Sequence, residues 1–332
     1  MGFRFKLTHL LLVVAPFLAF TLHVCLGKYP LSPTLIPVLL VGKLFGGSEH
    51  VAEQLVFFNI RMPRAVMAAL FGATMGITGA ALQSILKNPL VSPYTLGISS
   101  GAAFGAALSF ALGFNFLLEP LAFIFALLAV ILTLAISRVR GGFSPISLVL
   151  AGLIVTSLFQ GILTLVQILV EPEKVSAIVG WIAGRLNATT WDQILLSLPT
   201  ALVGIVSIAL LRWRIFVLSM GEEARALGIS IEKERMIIII LACLAASSVV
   251  AAAGIIGWVC LIAPHLTRLT VGSAPKRLLP ASLSLGAAFL LVADALAKSA
   301  WAYEMPVGVL VTLVGAPLFL YLMRSGTRAW GG

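Results

Sequence analysis

The chain has 332 residues, of which 60% are hydrophobic and only 10% charged, and its mean hydropathy is +1.11. A soluble domain carries about 25% charged residues, so this composition excludes a water-soluble globule and makes lipid the solvent for much of the surface. The net charge of +10 does not imply a nucleic-acid partner, because the basic residues are scattered over short segments between apolar runs, where positive-inside orientation puts them.

Only helices and closed barrels satisfy their backbone in lipid. Apolar runs such as 121–136 and 195–211 show no period of two, so the reading is an all-α integral membrane protein. Candidate spans, in chain order, lie at about 7–27, 64–84, 96–118, 120–137, 147–170, 191–211, 235–253, 255–269, 279–298 and 306–323. The first follows Arg4 and Lys6 and runs for about 20 residues, the length of a full span rather than a signal segment; it reads as a retained helix. Pro63 and Pro120 suit first-turn positions, and Asn88-Pro89 breaks the chain after the second span.

The run Met236–Ala263 is apolar over 28 residues. As one helix it would be about 42 Å long, against a hydrocarbon core of about 30 Å. Gly254 and Gly257 offer a break, and the basic segments on either side, 212–235 and 268–277, both belong in the cytoplasm. Two crossings therefore lie between them, the one at about 255–269 being short or re-entrant. With ten crossings and both termini cytoplasmic, 15 of the 22 Lys and Arg residues fall inside. Residues 1–332 read as a single transmembrane domain.

Several spans carry small residues at helical spacing: Ala69, Gly72, Ala73, Gly76 and Ala80 in the second, Gly97, Gly101 and Gly105 in the third, Gly308, Thr312, Gly315 and Ala316 in the tenth. Such stripes let backbones approach closely in lipid, either within one subunit or at a subunit interface or pathway. In the fifth span Thr156, Gln160, Thr164 and Gln167 fall within about 80° of arc at 100° per residue. A glutamine facing lipid is costly, so this stripe faces protein or water, as interhelical hydrogen bonds or as the lining of a pathway. Asp294 and Lys298 form an i, i+4 pair near the end of the ninth span.

Between the sixth and seventh spans, Ser219 and Glu222 have capping-box spacing and Gly228 is a natural stop. A short amphipathic helix is expected there, with Met220, Ala224 and Leu227 on one face able to press into a partner on the cytoplasmic side. The three cysteines lie in apolar runs at no metal-ligand spacing. No phosphate-binding loop occurs, and no catalytic triad, zinc set or haem motif; no cofactor or metal is implied, and ATP-driven work would need another chain.

Arg61-Met62-Pro63-Arg64, the Gly72–Gln83 stretch, Asn88-Pro89-Leu90-Val91 and Leu96-Gly97 resemble the FecCD-type permeases of bacterial ABC importers. So do Gly221-Glu222-Glu223-Ala224-Arg225-Ala226-Leu227-Gly228, Gly254-Ile255-Ile256-Gly257, Pro264-His265-Leu266-Thr267-Arg268 and Glu304-Met305-Pro306-Val307-Gly308. The resemblance covers nearly the whole chain. It implies a homodimer of ten-helix subunits in the inner (cytoplasmic) membrane, two ATPase subunits on the cytoplasmic side, and a periplasmic or lipid-anchored binding protein that delivers the cargo. The cargo implied is a metal chelate, ferric siderophore by family frequency, with haem, cobalamin and oxyanions as the other classes. It implies pathway-lining roles for the fifth and tenth helices (Thr156, Gln160, Thr164, Gln167, Gly308, Thr312). It also implies a coupling helix at 219–228 (Ser219, Met220, Gly221, Glu222, Ala224, Leu227, Gly228) and outer docking positions at Arg61, Arg64 and Lys298. The competing class, a secondary ion-coupled carrier, would need a buried titrating site, and beyond Asp294 and Lys298 the sequence offers none.

Overall fold

A backbone in lipid must satisfy its own polar groups. In the computed structural model of this chain the described residues form helices joined by short turns, with no strand among them. The structure describes residues 2–29, 31–45, 50–138, 144–221, 223–224, 228, 230–301 and 303–325. The helices are α1 (Gly2–Cys25), α2 (Leu35–Phe45), α3 (Val51–Leu55), α4 (Met62–Leu86), α5 (Ile98–Leu112), α6 (Leu118–Ser137) and α7 (Pro145–Leu169). They continue with α8 (Pro172–Ile182), α9 (Trp191–Leu210), α10 (Arg212–Met220), α11 (Ile231–Ala253), α12 (Val259–Val271), α13 (Pro275–Ser299) and α14 (Val307–Ser325). Each of the ten predicted segments coincides with a helix; α2, α3, α8 and α10 are additional. Among the described residues six stretches are long and apolar enough to cross a bilayer: Val51–Leu86, Asn115–Ser137, Pro145–Leu169, Trp191–Leu210, Ile231–Ala253 and Pro275–Ser299. Leu10–Cys25, Ile98–Leu112, Val259–Val271 and Val307–Tyr321 are apolar but shorter.

The centre of the bundle is α4. In the apolar window of the Val51–Leu86 stretch 83% of residues are buried, against 28–33% for the windows in Asn115–Ser137, Pro145–Leu169 and Trp191–Leu210, so α6, α7 and α9 ring the outside. Between helices bathed in hydrocarbon there is little hydrophobic gain, and contact rests on close packing. The glycines supply it. A β-carbon on Gly72 or Gly76 would overlap the backbone carbonyl of Gly286 or Ser282 in α13, and one on Gly79 the carbonyl of Cys260 in α12. Gly101 and Gly105 meet α6 at Phe125 and Leu121 in the same way. The small-residue stripes of the second and third spans are therefore packing surfaces inside one subunit.

The 28-residue apolar run breaks where the sequence suggested. Helix α11 stops at Ala253, Gly254 takes φ +76°, where L side chains are strained, and α12 restarts after Trp258. The thirteen-residue α12 is short, as expected. Its start sits deep: Cys260 lies against Gly79, seven residues from the Leu86 end of α4 and seventeen from the Met62 end. The turn at 254–258 meets the end of α8 and the start of α14. Arg185 N–H donates to Ala253 O (3.2 Å), Gly308 N–H to Gly184 O (3.1 Å) and Tyr94 Oη–H to Ile256 O (2.9 Å). These bonds satisfy the irregular backbone of the turn.

Because Gly76 faces backbone rather than a flexible side chain, Gly76→Val should destabilise the purified subunit by about 1–3 kcal/mol or more. Gly161→Ala in α7, where nothing lies within 4 Å of the added methyl, should be neutral or stabilise by up to about 1 kcal/mol. Thermal unfolding in one detergent compares the two; equal losses would mean the α4–α13 contact is not tight.

Candidate functional site

Ionisable residues from four elements meet at the Met62 end of the bundle. Arg64, in the first turn of α4, holds Asp294 of α13 with two parallel bonds, Nε to Oδ2 at 2.7 Å and Nη2 to Oδ1 at 3.0 Å. Its third nitrogen, Nη1, donates to Glu304 Oε2 at 2.9 Å, just ahead of α14. His23, near the end of α1, places Nε2 2.7 Å from Asp294 Oδ2. Lys298, one turn on from Asp294, donates to His23 O at 2.6 Å and lies 3.2 Å from His23 Nδ1. An ammonium on one side and a carboxylate on the other suit the neutral ring with its proton on Nε2. Arg61 closes the end of α1, donating through Nη1 to Val24 O (2.5 Å) and Cys25 O (2.9 Å) and through Nη2 to Tyr29 O.

Glycine packing sets this cluster. Gly72 and Gly286 touch, and eight residues back along α4 and eight on along antiparallel α13 stand Arg64 and Asp294. Each step is about 12 Å of helix, so the two side chains arrive at one level. Asp294 is fully buried, and His23, Arg61, Arg64 and Lys298 are all at or below 6% exposure. A buried charge persists only with such pairing.

This geometry corrects the docking reading. Arg61, Arg64 and Lys298 do not project as free cations; each is buried and bonded inside its own subunit. The Asp294–Lys298 pair is likewise replaced, Asp294 binding Arg64 and His23 while Lys298 reaches His23. His23 and Glu304 are members the sequence reading missed. An ionisable residue inside the 7–27 span was the available signal for His23.

At the other end of α4, Gln83 Nε2 donates to Cys260 O (3.2 Å) and Arg268 Nη1 to Gln83 Oε1 (2.6 Å). Lys87 caps α4 in the left-handed region and donates to Met220 O at 2.9 Å. The 219–228 segment differs from expectation. Ser219 is no N-cap: α10 runs through it, and its hydroxyl donates to Phe216 O at 2.6 Å. The capping boxes among the described residues are Ser92–Thr95, Ser144–Ser147 and Thr190–Gln193. Gly221 adopts φ +84° beside the Lys87 ammonium, and Gly228 φ +73°. Met220 is 41% exposed, whereas Ala224 is buried in its own subunit and cannot share an outward apolar face with it. Glu222 and Leu227 lie outside the described residues.

On α7, Gln160 and Thr164 are exposed and Thr156 and Gln167 half-buried, while Val155, Phe159 and Leu163 turn inward. Neither glutamine makes a side-chain hydrogen bond among the described residues; Thr164 bonds only to Gln160 O of its own helix. The stripe thus looks out of the subunit. On α14 the expectation divides. Thr312 is exposed, its hydroxyl bonded to Gly308 O. Gly308 packs against the Ala183 and Ile255 carbonyls and Gly315 against Trp258, so both glycines serve close packing inside the subunit.

Replacing Asp294 by Asn removes the counter-charge that Arg64 and His23 share. Loss of one partner of a buried pair costs about 3–5 kcal/mol, so Asp294→Asn should lower the thermal midpoint sharply. The double replacement Arg64→Met/Asp294→Leu should recover part of that loss. A double variant no better than the single would mean the charges are solvated.

Residues 11–325 match the FecCD transport family. The chain is 37% identical over 204 residues to a Helicobacter pylori permease assigned to iron chelatin transport, a match covering 61% of this chain and 62% of the relative. It is 34% identical over 330 residues to the molybdate import system permease of Haemophilus influenzae, covering 97% and 96%. Among solved structures it is similar to an ABC transporter assigned to the metal-chelate type, in an inward-facing conformation, with TM-score 0.86, 32% identity and coverage of 96% and 99%.

Proposed function

The chain belongs to the FecCD transport family, and on that premise we propose that it is the membrane permease subunit of a binding-protein-dependent ABC importer for a metal chelate. The observation that carries this reading is similarity along nearly the full chain, in sequence and in fold, to import permeases. The subunit performs no chemistry itself; ATP is hydrolysed by two partner chains. In this reading the ten predicted segments form the membrane domain of a bacterial inner-membrane protein, with both termini cytoplasmic. The Met62 end of α4 is then the outer end and the Lys87 end the inner.

The subunits pair as a homodimer around a shared pathway. Its support is the outward polar stripe of α7, Thr156, Gln160, Thr164 and Gln167, together with exposed Thr312 on α14. These groups are neutral, which suits a chelate whose metal charge is already masked by its own ligands; ferric siderophore is the cargo class we favour. The 219–228 segment carries the ATPase contact. Lys87, bonded to Met220 O, ties that segment to the central helix, so motion at the cytoplasmic surface has a rigid route into the bundle. An outer face whose charged residues are internally paired still receives the binding protein, through exposed groups such as Arg185.

A secondary carrier is the other reading, and the buried Asp294–His23 pair is the kind of group it would use. A coupling carboxylate must shed its partners each cycle, however, and Asp294 is held by two Arg64 bonds and by His23. Proteoliposomes holding this chain, its ATPase and its binding protein should take up chelate only with ATP, unaffected by a protonophore. Uptake that needs no ATP and collapses with the protonophore would establish the carrier. In the same vesicles, cysteines at Gln160 and Thr164 should react with water-borne thiol reagents and one at buried Leu163 should not; equal labelling would remove the stripe from the pathway.

A further inference from the structure

Apart from the clusters at the two ends of α4, one crevice combines an apolar wall with a charged end. It lies between α6 and α9 against the last turns of α11 and has a volume of about 250 Å³. Phe123, Ile124 and Leu196 line it, and α11 contributes Ser248 and Ala252. Ile124 and Leu196 are 55% and 59% exposed, so the crevice opens on the apolar exterior of the bundle. Glu119 and Gln193 stand at one end, Gln193 Nε2 donating to Glu119 Oε1 at 2.7 Å. Gln193 is held by its place in the Thr190 capping box. The second carboxylate oxygen of Glu119 accepts no hydrogen bond among the described residues. Next to Gln193, Trp191 Nε1 donates to Phe58 O at 2.9 Å, which fixes this end at the level where α4 begins and where an amphipathic indole belongs, the membrane interface.

An apolar crevice in lipid selects nothing by itself, since an acyl chain gains little by exchanging hydrocarbon for leucine. A half-buried carboxylate at its interfacial end does select. The first turn of α6 favours its negative charge and Gln193 adds a neutral donor, but a cation at the remaining oxygen would pair the charge fully where little water reaches it. Basic sites beside a membrane take anionic headgroups; an acidic one repels them and accepts an ammonium. We propose that this crevice is a phospholipid site, holding one acyl chain against α11 and pairing the primary ammonium of an ethanolamine headgroup with Glu119.

The test is native mass spectrometry of the full-length chain in detergent with equal phosphatidylethanolamine and phosphatidylglycerol of identical acyl chains; it reads retained lipid and does not depend on the importer reading. Wild type should retain the ethanolamine lipid in preference. Glu119→Gln should lower that retention about tenfold, the effect of losing one charge-assisted bond, and leave the glycerol lipid unchanged. Ala252→Leu, which fills the crevice without altering charge, should lower retention of the ethanolamine lipid as well. Equal retention of the two lipids by wild type, or full retention by Glu119→Gln, overturns the proposal; should Ala252→Leu fail to fold, those two readings still decide it.

Discussion

The architecture depends on the backbone contact between α4 and α13. Where Gly72 and Gly76 meet Gly286 and Ser282, no side chain separates the helices, and dispersion between bare backbones replaces the hydrophobic drive that a soluble core would use. That contact fixes more than distance. It fixes the antiparallel register, and through the register it brings Arg64 opposite Asp294. A one-residue slip would turn each of those side chains by about 100° and leave two charges buried apart. Glycine packing and ion pairing thus depend on one another: the first sets the register, and the second makes any other register costly.

Much of this fold was legible in the sequence because lipid makes helix length and composition decisive. The ten segments, the break at Gly254 and the small-residue stripes all follow from local patterns. The partners of charged residues did not follow. His23 and Asp294 are 271 residues apart, and no spacing rule connects them. The family resemblance implied a docking role for Arg61, Arg64 and Lys298, and a motif carried over by position does not report burial. The Ser219 cap failed for another reason. A serine with an acidic residue three positions on is common, and here α10 continues through it, its hydroxyl satisfied by Phe216 O. Gly308 shows why a small residue is hard to read from sequence: tight packing and open passages both call for one, and the packing against Ala183 and Ile255 appears only in three dimensions.

Between its ends α4 is a single unbroken rod of 25 residues. One end holds α13 and the approach to α14 through Arg64, with Arg61 just ahead of it holding the end of α1; the other holds α12 through Gln83 and the end of α10 through Lys87. By contrast α7, the helix with the outward polar stripe, is anchored on one face only. The centre is thus tied at both ends, while α7 leaves its other face, the polar stripe included, uncovered by its own subunit.

The turn between α11 and α12 has a consequence for biogenesis. Its carbonyls at Ala253 and Ile256 are met by Arg185 N–H and Tyr94 Oη, groups synthesised earlier, and Gly308, whose amide reaches Gly184 O beside that turn, is made last. As the nascent chain leaves the translocon, α11 and α12 bring a turn whose carbonyls lack the partners they have in the finished subunit. They become stable residents only once they dock against helices already inserted, and the shelter closes when α14 arrives. The order of synthesis is thus also an order of assembly, and a chain truncated before α14 would expose to quality-control proteases a turn that the finished subunit never shows.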